Sequence, residues 1–204
     1  PPATRALSAL GPAYIKFGQI LSTRPDVVGD ELAVQMRVLQ DKLPPFPMEK
    51  AREMIEAELE QPLEAVFSIF SEPVAAASIA QVHRATLVSD GADVAVKVLR
   101  PGIEKAFRRD IDAFYFAARM IEILAPGARR LRPLDVIAHF EGVVMGELDL
   151  RLESSAAGEF AANTKSDAGF QLPKINWNLS RKNVMTMDWA EGISAGDNAA
   201  LDAA

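Results

Sequence analysis

The hydrophobic pattern of this chain changes period part-way along it, and that switch restricts the possible folds more than any other feature. Up to about Glu60 apolar residues recur every three or four positions. Between Val94 and Leu99 the pattern becomes strict alternation: Val94, Val96 and Val98 against Ala95, Lys97 and Leu99, the mark of a strand with two different faces. Helical spacing returns from Ile103. A chain that reads helices, strands, helices, strands in that order is α+β, with the helices grouped around one antiparallel sheet.

The breaks sharpen this outline. Helical spacing over 5–42 is halted at Pro25 and restarts behind Asp30, a plausible N-cap. The rigid "PPFP" at 44–47 precedes a helix from Met48 to Glu60 whose inner side is Ala51, Met54, Ile55 and Leu59, and Pro62 ends it. Glu72 to Pro101 reads as strand, loop, strand, turn, strand, with Asp90-Gly91 as the hairpin turn. Helical patterning runs from Ile103 to Leu124, breaks at "APGARRLRP", and runs from Leu134 to Asn163. "FQLPKINW" and "NVMTMDWAEG" follow as two more strands, the first expected at an edge because of Pro173. The expectation is a five-stranded sheet, in a region 63–204 preceded by a helical region 1–62.

Composition removes several function classes. The net charge of −6 disfavours a nucleic-acid binder, which needs a basic surface. The absence of cysteine excludes a disulfide scaffold and a cysteine zinc site. The most apolar stretch, "FYFAARMIEILAPGA", is interrupted by Arg119 and Glu122 and falls short of the roughly 20 apolar residues of a membrane span. His83 and His139 have no companions at ligand spacing and are read as structural, so no metal site is assigned. The Pro-Pro start and the "SAGDNAALDAA" end suggest a piece of a longer protein.

Four short motifs carry chemistry. Lys97 stands in mid-strand among apolar residues. A buried ammonium there requires a carboxylate or phosphate partner, whereas on an edge strand the same lysine simply reaches into water. One hairpin earlier, Ala75, Ala76, Ala77 and Ser78 occupy the place of a phosphate loop: small enough for close approach, with one hydroxyl to donate, but without glycine's freedom of φ. Lys16 and Gln19 lie three apart on a helix and share a side. Between them Gly18 costs about 1 kcal/mol against alanine, which suggests that something packs on its backbone. Glu147, Asp149 and Glu153 are read on one helix, with Glu147 roughly opposite the other two, so that they could serve two different cations. Met187 and Trp189 sit on the last strand, and either a hinge or an ordinary terminal strand would fit them.

As an ordered set, Lys16-x-Gly-Gln19, the alanine loop with Ser78, Val-Ala-Val-Lys97, Glu147-x-Asp149 with Glu153, and the final strand resemble the UbiB-type atypical kinase-like family. "IKFGQILSTRPD" and "AAASIAQVHRA" are the closest segments. The resemblance implies a protein-kinase-like N-terminal lobe with a helical extension. It implies that Lys97 contacts nucleotide phosphates and is paired with Glu153, that Lys16 pairs with Glu147, and that alanine is the normal residue in the loop. It implies binding of ATP or ADP with Mg2+ near Met187 and Trp189. It also implies a role in ubiquinone biosynthesis on the cytoplasmic side of a membrane, with quinone-biosynthesis proteins or lipid as partners. No His-x-Asp or Asp-Phe-Gly segment follows Trp189, so catalytic residues and magnesium ligands are expected in a second lobe. A nucleotide-responsive scaffold without phosphoryl transfer, or a helical interaction module, are the other readings.

Overall fold

The computed structural model describes residues 10–23, 25, 29–37, 44–169, 171–193 and 202–203. The expected helical stretches at 5–9 and 38–42, and Phe170 of the first terminal strand, lie outside the described residues. Seven α-helices and four strands are described: α1 Pro12–Ser22, α2 Asp30–Arg37, α3 Met48–Leu59, the single turn α4 Leu63–Val66, β1 Phe67–Ala76, β2 Ala80–Leu87, β3 Asp93–Leu99, α5 Ile103–Leu124, α6 Pro133–Glu147, α7 Leu150–Asn163 and β4 Val184–Asp188. Short 3₁₀ turns at Pro126–Leu131 and Trp177–Leu179 join the later elements.

Local chemistry explains most of the boundaries. Pro12 opens α1, where its missing N–H is no loss. The end of α1 is closed by the Ser22 and Thr23 hydroxyls donating back to the Gln19 and Ile20 carbonyls at 2.6 and 2.7 Å. Asp30 is the first residue of α2 rather than its cap: the Gly29 carbonyl takes the first helical bond, from the Ala33 N–H at 3.0 Å. The hairpin reverses at the expected Asp90-Gly91, but through four residues, 88–91, rather than two, closed by the Leu87 N–H on the Ala92 carbonyl at 2.9 Å; Gly91 has φ 72, a left-handed conformation that glycine adopts without a Cβ penalty.

The sheet is fully antiparallel in the order β1-β2-β3-β4. Among the described residues it has four strands, not the expected five. The expected strand at "FQLPKINW" contributes one bridge, Ile175 to Met187, with backbone bonds from Asn176 N–H to Thr186 O and from Asp188 N–H to Lys174 O. Pro173 has no N–H to extend the ladder. The second difference lies at the expected helix 134–163. It is two helices broken at Leu148–Asp149, with Asp149 in extended conformation (φ −127, ψ 96) as the cap of α7.

Register divides the sheet into two faces. Val94, Val96, Val98 and Val184 face α3 and α4, packing with Ile55, Leu59 and Leu63. Ala80, Leu99 and Met185 face the other way into a core with Phe107 and Ile111 of α5, Phe140 and Val144 of α6, and Leu150 of α7. Phe17 of α1 joins this second core, its ring 5.1 Å from that of Phe140 and 5.2 Å from that of Phe114. The extension is therefore seated on α5 and α6, on the same side of the sheet as Lys97.

One buried polar network on the first face is structural and has a pH signature. His83 is fully buried and stacks on Phe70 at 4.5 Å. Its Nδ1–H donates to the Ser71 carbonyl at 2.9 Å. Its Nε2 accepts from Gln81 Nε2 at 2.9 Å, because the Gln81 Oε1 end is taken by the Phe46 N–H at 2.9 Å. A second ring proton would point at the Gln81 amide donor. Burial lowers the pKa of His83, with Ser71 and Glu72 opposing weakly. Below the ordinary histidine value near 6.5, the unfolded chain takes a proton that the native ring refuses, so stability is lost as pH falls through that value, by up to about 1.4 kcal/mol per unit. Urea midpoints of wild type should drop between pH 7.5 and 5.5, and those of His83→Gln should drop less. Equal slopes would remove His83 as the cause.

Candidate functional site

The site is built at the junction that splits the expected single helix. Glu147 is the last residue of α6, Leu148 turns the chain, and Asp149 caps α7 by accepting the Arg151 N–H at 3.1 Å. Arg151 also clamps Asp149 through its guanidinium, Nε at 2.9 Å and Nη2 at 2.6 Å. These contacts hold the Asp149 carboxyl below its usual pKa, with the Arg151 side-chain bonds as the leading cause. Leu150 N–H bonds to the Lys182 carbonyl at 2.9 Å, tying the start of α7 to the turn before β4.

Two carboxylates leave this junction in different directions and each finds a lysine. Glu153, in the first turn of α7, accepts Lys97 Nζ on both oxygens, at 2.6 and 2.7 Å. Glu147 pairs with Lys16 of α1 at 2.5 Å. The helix break supplies the divergence that the sequence reading sought on one continuous helix. Lys97 shares its face with Val82 and Met185, its direct partners on β2 and β4. Its side chain is 22% exposed and that of Glu153 is 45%, so the pair borders solvent. Nζ carries three protons; Glu153 engages it from one side, and the solvent side is open to a further acceptor.

The remaining expected residues divide. Gly18 is buried and Gln19 is half-buried beside it. Met187 lies opposite Ala95 in the ladder, on the Lys97 face. Trp189 stands just past β4. Its N–H donates to the Asp93 carbonyl at 3.1 Å and its ring is covered by the Arg84 guanidinium at 4.9 Å, itself paired with Asp93. Ala75 and Ala76 end β1, and the Ala77 N–H closes a tight turn on the Ala80 carbonyl at 2.8 Å. Ser78, whose hydroxyl was read as a donor to a phosphate oxygen, lies in this turn at 9% exposure.

Arg100 is the functional residue that the sequence reading missed. It directly follows β3, and its Nε and Nη2 both donate to the Ala77 carbonyl, at 3.1 and 3.0 Å. The same Nη2 donates to the Pro44 carbonyl at 2.8 Å. Partial burial lowers the pKa of this guanidinium. One side chain thus ties the alanine loop to the proline strap, a geometry that a lysine's single nitrogen cannot reproduce. Its only trace in the sequence is an arginine at the end of an apolar strand. Arg100→Lys is expected to speed amide exchange in residues 75–80 by about tenfold, since one lost charged hydrogen bond is worth about 1.5 kcal/mol. Unchanged exchange there would show that the turn holds itself.

A four-stranded antiparallel sheet with a strand lysine bound to a helix glutamate, flanked by a second lysine–glutamate pair from an N-terminal helical extension, defines a kinase-like N-terminal lobe. The sequence profile of the ABC1 atypical kinase-like domain matches residues 38–204, and the chain belongs to that family. It is 44% identical over 200 residues to the "Probable protein kinase UbiB" of Marinobacter nauticus, covering 98% of this chain and 36% of that protein. It is 44% identical to the protein of the same description from Shewanella baltica over 97% of this chain, and 43% identical to that of Pseudomonas aeruginosa over 94%. In both, the match again covers 36% of the relative; the chain spans about a third of the length of these curated relatives.

Proposed function

We propose that this chain is the nucleotide-binding lobe of an atypical kinase-like protein that supports ubiquinone biosynthesis, through ATPase or small-molecule kinase activity completed by a second lobe. The observation that carries this reading is the Lys97–Glu153 pair, bidentate and open on one side. Glu153 fixes the ammonium so that its free side can take an oxygen of the α- or β-phosphate of ATP or ADP. Ala95, Val82 and Met187 give the same face an apolar surface for the base. Magnesium would neutralise charge on the phosphates. Its carboxylate ligands would come from the second lobe, because Asp149 is engaged by Arg151 and Glu153 by Lys97. The Lys16–Glu147 pair would hold α1 against this face and so limit which acceptors reach it. The kinase-like descriptions of the relatives support the reaction class, and their shared UbiB designation supports the pathway. Quinone-biosynthesis proteins and a place on the cytoplasmic side of a membrane belong to the same proposal.

The test is thermal melting of the full-length protein with and without Mg-ATP and Mg-ADP, beside Lys97→Ala, with nucleotide hydrolysis followed in parallel. A shift that requires Lys97, together with turnover, supports the enzyme. A shift without turnover would leave the nucleotide seat and replace the enzyme by a nucleotide-responsive scaffold. No shift at saturating nucleotide would overturn the reading and favour an interaction module.

A further inference from the structure

Helix α5 turns Phe107, Asp110, Ile111 and Phe114 toward the rest of the lobe, spaced along one helical stripe. Asp110 is the odd member: a carboxylate, 4% exposed, where the pattern calls for an apolar residue. Its Oδ1 accepts from Arg109, Nε at 3.2 Å and Nη2 at 3.0 Å. Its Oδ2 accepts nothing. Among the described residues it is the one buried side-chain oxygen or nitrogen without a hydrogen bond, and it is closed to water. Buried polar atoms are nearly always bonded, so this exception calls for a cause.

What stands over Oδ2 is the start of the extension. A Cβ at Gly11 would lie 2.9 Å from Asp110 Oδ2, and φ 134 at Gly11 already favours glycine there. Gly11 is the N-cap of α1. It offers no side chain to the first turn, which opens with Pro12 and has no acid of its own. The positive end of α1 therefore faces the unpaired oxygen. That attraction is favourable, but a helix end returns less than a carboxylate loses when its water is removed and no donor replaces it. The same oxygen would be hydrated if α1 lifted, so Asp110 works against the seated position. Two features work the other way. Lys16 of α1 pairs with Glu147 at 2.5 Å, and Ala13 and Phe17 pack into the core with α5 and α6.

We propose that Asp110 is a release residue for α1: its buried, half-unpaired charge opposes the hold of Lys16–Glu147 and keeps the helix only weakly seated, so that α1 lifts from α5. The helix lies on the Lys97 side of the sheet, so its lifting uncovers the face assigned to nucleotide. That consequence rests on the function proposed above; the weak seating of α1 does not.

The experiment is amide exchange of residues 13–22 in the full-length protein without nucleotide, so a failed nucleotide reading cannot imitate a failed proposal. Asp110→Asn keeps the shape and removes the charge. Exchange in α1 should slow about tenfold, the size of one charged hydrogen bond left unmade, and the melting temperature should hold or rise, since replacing a buried charge by a neutral group of its shape does not weaken a core. Arg109→Gln gives a second arm at a side chain 75% exposed. It strips Oδ1 of its donor and should speed exchange in α1 while β2 and β3 exchange as in wild type. In the double variant the effect of Arg109→Gln should vanish. Faster exchange of α1 in Asp110→Asn, or loss of the fold, overturns the proposal, because either would make Asp110 a support of the helix end. Unchanged exchange overturns it too, by showing that the carboxylate carries no cost where it sits.

Discussion

Mg-ATP or Mg-ADP is expected to raise the melting temperature of the full-length protein, and alanine at position 97 to erase that rise while leaving the nucleotide-free melt nearly where it was. Two separate magnitudes produce this contrast. The Lys97–Glu153 pair borders solvent, with Glu153 45% exposed, so its own contribution to the fold is about 1 kcal/mol at most. A ligand that binds only the folded state at a hundred times its Kd contributes about 2.7 kcal/mol. Removing the ammonium therefore weakens the fold slightly and the ligand linkage greatly. Glu153→Gln tests the same geometry from the other side: it keeps the size and removes the charge that fixes Lys97, so the nucleotide-dependent shift should shrink but survive. A variant at position 97 whose shift equals that of wild type would place the phosphates elsewhere, whatever the hydrolysis assay reports.

Much of this site was legible in the sequence because its parts obey short-range rules. Alternation in Val94–Leu99 put Lys97 on a strand and Asp90-Gly91 marked the hairpin; the register that sets Val82 and Met185 beside Lys97 was not legible, because the connection is longer than two residues and β4 is distant in sequence. The pairing of Lys97 with Glu153 and of Lys16 with Glu147 came from the family resemblance. Periodicity had located the partners without joining them. Three further features were not legible, each for a physical reason. The break at Leu148–Asp149 has no proline, and its one nearby glycine, Gly146, lies inside α6; the break is stabilised by Asp149 capping α7 through the Arg151 N–H, and an aspartate inside a helical pattern reads equally as helix. The fifth strand failed because alternation in "FQLPKINW" outweighed the one missing donor at Pro173. Arg100 was passed over because its partners are carbonyl groups of Ala77 and Pro44, and a backbone acceptor has no identity in a sequence.

The largest loss of stability is expected at a residue that touches no ligand. Phe107 of α5 is fully buried in the core between the Lys97 face of the sheet and helices α5, α6 and α7. Phe107→Ala should cost about 3–5 kcal/mol, transfer energy plus the cavity that a packed core closes only in part. Against the 5–15 kcal/mol of an ordinary domain that is a large share. It should appear as a lower urea midpoint with little change in slope. The position also decides what is lost with the stability. Leu150 and Leu148, at the junction from which Glu147 and Glu153 diverge, belong to the same cluster. A cavity under Phe107 therefore loosens the seat of both carboxylates, and nucleotide-linked stabilisation should weaken in this variant although Lys97 is intact. Ile55→Ala supplies the control. It is fully buried too, but on the opposite face of the sheet, in the cluster with Leu59 and Val96. It should cost about 2–5 kcal/mol while sparing the nucleotide effect. If the two variants weaken nucleotide binding equally, the lobe transmits any loss of stability to the site, and the separate role of the α5–α7 core is wrong. If only Phe107→Ala does so, the ion pairs are held in place by the packing beneath the helix junction.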